Sequence, residues 1–279
     1  MRTIAIINQK GGVGKTTTAV NLSAALAASG QRVGLIDLDP QAHASLHLGL
    51  GPHRELPNIY EVLTSGKPLA EVWQEAAPNL HVAASHIDLA AAEVELAGVV
   101  GRELILRDAL AAAGATGTPT EPLFDYVLID CPPSLGILTI NALSAVGDVF
   151  LPLQPHFLAL HGLSKLLQTI DLVRRRLNER LRLAGVILCL YESGTRLAAE
   201  VTADVEAFFS AAPGPSSLWQ DVHLFESRIR RNIRLAEAPS FEQSIFKYAP
   251  GSPGAEDYRA LAAEVLALYA GQLAANEAA

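Results

Sequence analysis

Residues 3–20 read TIAIINQKGGVGKTTTAV, and they decide the fold because an apolar β-branched run passes through a glycine-rich loop straight into a segment of helical character. Gly11, Gly12 and Gly14 lie in that loop. A loop without Cβ atoms lets successive backbone N–H groups converge on phosphate oxygens, next to the positive end of the helix dipole. The stretch therefore predicts a phosphate-binding loop between a strand and a helix.

The two lysines of this loop have different predicted roles. Lys15 is placed to neutralise the β- and γ-phosphates of a nucleotide, and Thr16 is placed to ligate Mg²⁺. The loop departs from the G-x-x-x-x-G-K-[ST] pattern because Gln9 occupies its first glycine position. Two ammonium groups beside one phosphate repel each other, so Lys10 gains little by pointing to the same place. We expect Lys10 to reach outward, to a phosphate bound by another subunit.

Short apolar runs alternate with longer helical segments along the rest of the chain, which indicates an α/β fold with a mainly parallel twisted sheet and helices on both faces. The predicted strands span residues 3–8, 32–37, 79–84, 126–130, 148–153 and 183–190. The predicted helices span residues 15–28, 86–113, 160–180, 197–209 and 254–273. Loops at 51–57, 114–122 and 211–217 are rich in turn-forming residues and too short for linkers. We predict one domain over residues 1–279, without an appended N-terminal module.

Composition excludes several classes of protein. The 279 residues include 29 acidic and 21 basic ones, a formal net charge of −8, which argues against coating nucleic acid or anionic lipid over the whole surface and leaves room for a local basic patch. Cys131 and Cys189 lie far apart without CxxC spacing, which argues against a disulfide framework or a zinc site. Neither a signal peptide nor an apolar run of roughly 20 residues is recognisable. We expect a cytoplasmic protein.

Two further predicted strands end in carboxylates. Residues 35–41 read LIDLDPQ and place Asp37 and Asp39 at i and i+2, which a strand points to the same side. Residues 126–130 read YVLID and end at Asp130, an arrangement in which the carboxylate holds Mg²⁺ through water. The alternative for Asp130 is a strand-end residue that caps a turn.

The run KGGVGKTT over residues 10–17 resembles the deviant Walker A motif of the ParA/MinD superfamily of P-loop NTPases. In that superfamily the first lysine contacts the nucleotide across a sandwich dimer, so the resemblance implies that ATP favours a homodimer in which Lys10 serves the facing subunit. DLDPQ resembles the switch I motif, which implies that Asp39 positions the attacking water and Asp37 supports the Mg²⁺ shell.

The resemblance implies three sets of site residues. The catalytic residues would be Lys10, Lys15 and Asp39. The ATP or ADP site would comprise Lys10, Gly11, Gly12, Val13, Gly14, Lys15, Thr16, Thr17, Arg231 and Asn232, the last two close to the adenine. The Mg²⁺ site would comprise Thr16, Asp37, Asp39 and Asp130.

Beyond these motifs, the sequence is similar to ParA/Soj partitioning ATPases over almost its whole length, including DCPPSLG at 130–136, RNIRLAEAPS at 231–240 and GAEDYRALA at 254–262. This resemblance implies an ATP-bound dimer that binds double-stranded DNA non-specifically and releases it when a ParB-like partner stimulates hydrolysis, which segregates a chromosome or plasmid. The sequence departs from the family pattern at Ala42, His43, His156, His161 and Arg230.

Arg228, Arg230, Arg231 and Arg234 place four guanidinium groups within seven residues of an acidic chain. Such a cluster binds DNA phosphates without reading sequence. Salt bridges to Glu226 and Glu237, or contact with the nucleotide, explain the charges alone equally well. The resemblance favours DNA and adds Arg196 to the set. A second basic run, Arg174 to Arg182, is interpreted as a solvated helix surface, with an accessory DNA contact as the alternative.

Other functions stay open at this point. A ParA-like ATPase that positions a protein cargo on the nucleoid would carry the same motifs. A MinD-like protein requires a membrane-binding tail, but residues 264–279 contain no Lys or Arg, so no membrane partner is expected. A carrier of a metal cluster shared by a dimer needs two cysteines from each subunit, and one near the site is too few. His43 and His47 are spaced as a helical metal pair, although a solvated or packed pair is favoured.

Overall fold

The computed structural model describes residues 1–51, 56–116, 123–156, 163–210 and 221–277. Most of the predicted loops at 51–57 and 114–122, all of the loop at 211–217, the start of the predicted helix at 160–180, and His161 lie outside the described residues.

One sheet of eight strands runs through the described part of the chain, in the order β3-β4-β2-β5-β1-β6-β7-β8. The strands are β1 (Arg2–Ile6), β2 (Val33–Asp37), β3 (Trp73–Ala77), β4 (Leu80–Ala83), β5 (Tyr126–Asp130), β6 (Asp148–Leu153), β7 (Arg182–Tyr191) and β8 (His223–Arg230). Neighbouring strands are parallel except β3, which runs antiparallel to β4 at one edge. The predicted α/β class with a mainly parallel sheet is confirmed.

Helices cover both faces of the sheet, which accounts for the apolar strands. The helices are α1 (Lys15–Ala28), α2 (His43–His47), α3 (Ile59–Ser65), α4 (Leu89–Glu95), α5 (Ile105–Thr116), α6 (Ile137–Ala145), α7 (Leu163–Arg176), α8 (Arg196–Ser210), α9 (Ile233–Glu237), α10 (Ile245–Tyr248) and α11 (Pro253–Glu277). Alternate residues of a strand point to opposite faces of the sheet and so pack into two separate hydrophobic cores. In β1, Ile4 and Ile6 pack in the core under α1 and α11, and Ala5 packs in the core on the opposite face. Within the described residues, no helix is long and apolar enough to cross a bilayer.

The prediction of one helix over residues 86–113 is wrong. The chain forms α4, a 3₁₀ turn at Leu96–Gly98, and then α5, because the backbone turns extended at Val99 and left-handed at Gly101, where φ is +74°. A left-handed φ suits glycine, which has no Cβ to clash. The six predicted strands are confirmed with ends within two residues, whereas β3 and β8 are additional strands.

The order of the central strands positions the candidate site. Strand β5 lies between β1 and β2, and Asp130 is the register partner of both Asp37 and Ile6. All three strands are parallel, so their carboxyl ends lie at one edge of the sheet, which is where ligands bind in open α/β sheets. The glycine-rich loop after β1 therefore lies beside the carboxylates that end β2 and β5.

Candidate functional site

The glycine-rich loop has the backbone of an anion cradle. Gly12 and Gly14 have φ of +73° and +93°, in the left-handed region, and a Cβ on Gly14 would also lie 3.5 Å from the Cβ of Cys189. Helix α1 begins at Lys15 with no side-chain cap on its first turn, so its N–H groups point to an external acceptor. Asn8 ties the loop to the sheet: its Oδ1 accepts from the Lys10 N–H at 3.0 Å, and its Nδ2 donates to the Pro152 carbonyl at 2.7 Å.

Lys15 and Lys10 point in different directions. The Nζ of Lys15 is turned into the loop and donates to the backbone carbonyl of Lys10 at 3.1 Å. Burial lowers the pKa of Lys15, and the carboxylates of Asp130 and Asp39 oppose that change. The side chain of Lys10 is exposed and has no partner within the described residues. Lys15 is therefore directed into the loop, whereas Lys10 lies on its exposed side.

Asp37 is completely buried and well supplied with donors. It accepts hydrogen bonds from the Ser45 N–H at 2.9 Å, the Ser45 hydroxyl at 2.7 Å and the Asp39 N–H at 3.1 Å. Burial nevertheless raises the pKa of Asp37 to about 6, an effect that these hydrogen bonds only partly oppose. Asp39 is half-buried at the mouth of the site and accepts from the Gln41 N–H at 3.0 Å.

Asp130 is also completely buried, and neither of its carboxyl oxygens has a hydrogen bond of normal geometry among the described residues, although the Thr16 hydroxyl lies near enough to favour the ionised form. Burial raises the pKa of Asp130 well above its ordinary value, and Asp37 raises it further, whereas Thr16 and Lys15 lower it. A buried carboxylate without a donor is costly in a folded protein unless something else binds it. The orphaned oxygens of Asp130, beside the Thr16 hydroxyl, fit a hard divalent cation such as Mg²⁺.

The protein offers this cation too few ligands to hold it alone. No three His, Cys, Asp or Glu side chains in the described ranges are grouped closely enough for that. Mg²⁺ typically takes one or two protein oxygens and completes its shell with phosphates and water. The donor set therefore fits Mg²⁺ that arrives with a nucleotide.

A serine pair, which the motifs did not indicate, holds the loop after β2 in place. The Ser85 N–H donates to the Ser45 hydroxyl at 2.9 Å, and the Ser85 hydroxyl donates to the Asp39 carbonyl at 2.7 Å. In the same loop Ala42 has a left-handed φ of +53°, and its N–H donates to the Asp39 carbonyl at 2.8 Å. A left-handed φ strains a residue that has a Cβ, so the backbone at Ala42 would suit glycine better.

The histidine pair is not a metal site in this structure. His47 is buried, and burial lowers its pKa to about 4, whereas His43 on the same short helix is exposed. Cys131 and Cys189 are free and buried, and burial raises the pKa of both thiols, so neither is a ready metal ligand.

The predicted arginine cluster divides into two groups. Arg230 turns back onto α11, where its Nη2 donates to Asp257 at 2.6 Å and to Glu256 at 3.2 Å. Arg228 donates to the backbone carbonyls of Phe225 and Glu226. These two guanidinium groups are engaged by other parts of the fold, although the Arg230 side chain is still 41% exposed.

The other three arginines remain at the surface. Arg231 pairs with Glu192 at 2.9 Å, Arg234 with Glu237 at 2.8 Å, and Arg196 with Glu200 at 2.7 Å. Their side chains are 61%, 54% and 92% exposed, respectively. Exposed ion pairs of this kind are weak and readily exchange for another anion. Asn232 caps α9 by accepting from the Arg234 N–H at 2.8 Å.

Comparison with known proteins places these features in context. The family described as an AAA domain matches residues 1–183. The chain is 43% identical over 267 residues to the chromosome partitioning protein ParA of Caulobacter vibrioides, covering 95% of this chain and 94% of that protein. It is 45% identical over 267 residues to the chromosome-partitioning ATPase Soj of Thermus thermophilus, covering 96% of each.

Solved structures agree on the fold. A structure from Mycobacterium smegmatis, described as cobyrinic acid a,c-diamide synthase with bound ADP and magnesium, is 36% identical with a TM-score of 0.77 and covers 95% of this chain and 94% of that one. The cell division ATPase MinD of Pyrococcus furiosus, 23% identical, has a TM-score of 0.73 and covers 96% of this chain and 99% of that one.

Proposed function

Since the chain belongs to the ParA/Soj family of partitioning ATPases, we propose that it hydrolyses ATP to drive the segregation of DNA, as a single P-loop ATPase domain over residues 1–279. The observation that carries this proposal is the orphaned, fully buried carboxylate of Asp130 beside a phosphate loop whose two lysines point in different directions. ATP and ADP with Mg²⁺ are the ligands that this combination fits.

The loop residues bind the nucleotide phosphates. Backbone N–H groups of Gly11 to Gly14 and of the first turn of α1, including Thr16 and Thr17, donate to the phosphate oxygens. Lys15 exchanges the Lys10 carbonyl for the β- and γ-phosphates. Bound Mg²⁺ neutralises the charge that develops on these phosphates. Thr16 and Asp130 would hold this ion, with Asp37 and Asp39 next to them.

Hydrolysis needs an oriented water and a neutralised leaving group. Asp39 lies at the mouth of the site, where its carboxylate orients the attacking water. Lys10 extends from the exposed side of the loop to the nucleotide of a facing subunit, so two ATP molecules become part of the homodimer contact. Because ATP binds this dimer preferentially, it stabilises the dimer, and hydrolysis removes that stabilisation.

The dimer binds double-stranded DNA through exposed guanidinium groups. Arg196, Arg231 and Arg234 are the DNA contacts we propose, since each is paired only with an exposed carboxylate that phosphate can displace. On the family resemblance, Arg231 and Asn232 are also the adenine contacts that we propose. A ParB-like partner stimulates hydrolysis and so releases the DNA, which places the protein on the nucleoid in the cytoplasm.

The test is binding of duplex DNA of unrelated sequence with no nucleotide, with ADP, with ATP and with a slowly hydrolysed ATP analogue, at two salt concentrations. Wild type is expected to bind only with ATP or the analogue, more weakly at the higher salt concentration. Lys10→Ala and the double variant Arg231→Ala/Arg234→Ala are expected to lose this binding. Lys67→Ala removes a half-buried cation that pairs with Glu61 and serves as the control. ATP-driven dimerisation without DNA binding would contradict the DNA role and favour a protein cargo.

A further inference from the structure

A cavity of about 820 Å³ opens at the opposite end of the sheet from the phosphate loop. Its walls come from the starts of three parallel strands, at Arg2, Asp148 and Arg182, and from the turn between α7 and β7. Parallel strands begin at one edge of a sheet and end at the other, so this cavity and the nucleotide site are separated by the length of the strands, roughly 17 Å for five residues.

Arginine dominates the charge of this cavity. Four arginines line it, namely Arg2, Arg107, Arg180 and Arg182, against two carboxylates, those of Asp148 and Glu179. The side chain of Asp148 is buried and already engaged, since it accepts from Arg182 Nε at 2.6 Å and from the Tyr269 hydroxyl at 2.8 Å. In a chain with a net charge of −8, this is a local concentration of cations.

Two of the four guanidinium groups are available to a ligand. Arg180 is exposed and has no hydrogen bond or ion pair within the described ranges. Arg107 pairs only with its neighbour Asp108, at 3.0 Å, in an exposed pair of the weak kind. The turn that carries Arg180 is fixed, because Asn178 Nδ2 donates to the carbonyls of Leu143 at 2.9 Å and Val146 at 2.6 Å.

The floor of the cavity is rigid as well. Arg182 is held by Asp148 and by Gln272, whose Oε1 accepts from its Nη2 at 2.8 Å. The guanidinium of Arg2 lies 4.7 Å from the centre of the Tyr269 ring. A ligand bound by Arg107 and Arg180 would therefore also meet the positive charge of Arg2 and Arg182, which are already in position.

We propose that this cavity is a second anion site, which binds phosphate groups of either a nucleic acid backbone or a free phosphorylated small molecule. Arginine forks match phosphate oxygens in pairs, and a volume of about 820 Å³ lies in the usual range of ligand pockets. The second basic run thereby divides in two: Arg174 and Arg175 pair with Asp171 on α7, whereas Arg180 and Arg182 line the cavity.

Titration calorimetry with tripolyphosphate tests this site in protein saturated with ADP and Mg²⁺, so that the phosphate loop is occupied. Arg107→Ala/Arg180→Ala is expected to weaken tripolyphosphate binding at least tenfold and to leave ADP affinity unchanged. Arg107→Lys/Arg180→Lys keeps the charge and should retain most of the affinity. Arg259→Ala is the control, because Arg259 lies about 20 Å along α11 from Gln272 and should change binding less than twofold.

Equal tripolyphosphate affinity in wild type and in Arg107→Ala/Arg180→Ala would overturn the proposal, as would no binding by wild type. The competition with a short duplex is run in protein saturated with the slowly hydrolysed ATP analogue and Mg²⁺, the state expected to bind DNA. A duplex that displaces tripolyphosphate assigns the site to a nucleic acid backbone, and a duplex without effect assigns it to a free phosphate compound. ADP saturation is measured first, so failure of the phosphate loop is distinguished from failure of this cavity.

Discussion

Asp130→Asn is expected to stabilise the ligand-free protein at neutral pH while it removes ATPase activity. The structure leaves both oxygens of a fully buried carboxylate without a hydrogen bond of normal geometry, with only the Thr16 hydroxyl nearby, and an amide of the same shape carries no charge. The cost of an ionised Asp130 can be compared with that of Asp37, which is equally buried but has three donors. The pKa of Asp37 rises from 3.8 to about 6, which corresponds to about 3 kcal/mol at 1.4 kcal/mol for each pKa unit. We take this as the smaller of the two costs. An unpaired Asn amide offsets part of the gain, so we expect a net increase of about 1–3 kcal/mol in the free energy of unfolding.

The pH dependence of this stability difference tests whether the charge of Asp130 causes it. A carboxyl group whose pKa is raised by folding binds its proton more tightly in the folded state than in the unfolded one. The folded protein therefore loses stability as the pH rises from the ordinary carboxyl pKa through the raised pKa. The advantage of Asp130→Asn should therefore be larger at pH 8 than at pH 5, because the raised pKa of Asp130 penalises the wild type more as the pH rises. With ADP and Mg²⁺ the order should reverse, because only the carboxylate suits the cation.

Urea denaturation with EDTA at pH 5 and pH 8, repeated with ADP and Mg²⁺, measures all of these differences. Asp108→Asn, a change at an exposed carboxylate, is the matched control and should alter stability equally at both pH values. A ligand-free Asp130→Asn protein that is less stable than wild type at pH 8, or a difference independent of pH, would refute the reasoning that Asp130 is an uncompensated buried charge.

Four other substitutions have measurable consequences. Lys15→Ala should weaken ATP binding about 10- to 100-fold by calorimetry, through loss of charge-assisted hydrogen bonds of about 1.5–3 kcal/mol, and unchanged affinity would contradict its role. Ser45→Ala should lower the free energy of unfolding by about 1.5–3 kcal/mol, more at pH 8 than at pH 5 because loss of the hydroxyl raises the pKa of Asp37 further. Arg230→Ala should cost about 1–2 kcal/mol because the buried Asp257 loses its guanidinium partner and keeps the backbone N–H of residue 230, whereas Arg234→Ala should weaken DNA binding and leave the melting temperature unchanged. A lower melting temperature for Arg234→Ala, together with weaker DNA binding by Arg230→Ala, would contradict these roles.

The sequence predicted the central part of the fold because that part follows simple periodic rules. Strands buried on both faces are apolar throughout, so they are easy to find in the sequence. The glycines and lysine of residues 11–15 form a pattern that is rare outside phosphate-binding loops. Strand β3 was not predicted because it is an edge strand with half-buried residues, and the polar residues of β8 hide its role. The break between α4 and α5 depends on the backbone at Gly101, which the apolar pattern of the segment does not reveal.

The site was predictable where a motif fixes the position and unpredictable where long-range packing decides. Lys15, Asp37 and Asp130 each lie at or after the end of a predicted strand, and the family resemblance assigned them to one nucleotide and Mg²⁺ site. Nothing in the sequence indicated that Ser85, 40 residues beyond Ser45, completes the loop after β2. Equally, the partner of Arg230 is Asp257 on the C-terminal helix. The clustering of arginines in the sequence therefore overstated how many guanidinium groups are free to bind a ligand.

The position of β5 between β1 and β2 restricts when ATP can act during synthesis of the chain. The phosphate loop and Asp37 leave the ribosome early, but Asp130 follows Asp37 by 93 residues, a delay of about 5–20 s at the usual speed of translation. Until then β1 and β2 have no shared neighbour, and the Mg²⁺ ligands have not met. A nascent chain shorter than about 130 residues therefore cannot be stabilised by ATP, however abundant the nucleotide is, and must be protected from aggregation by other means.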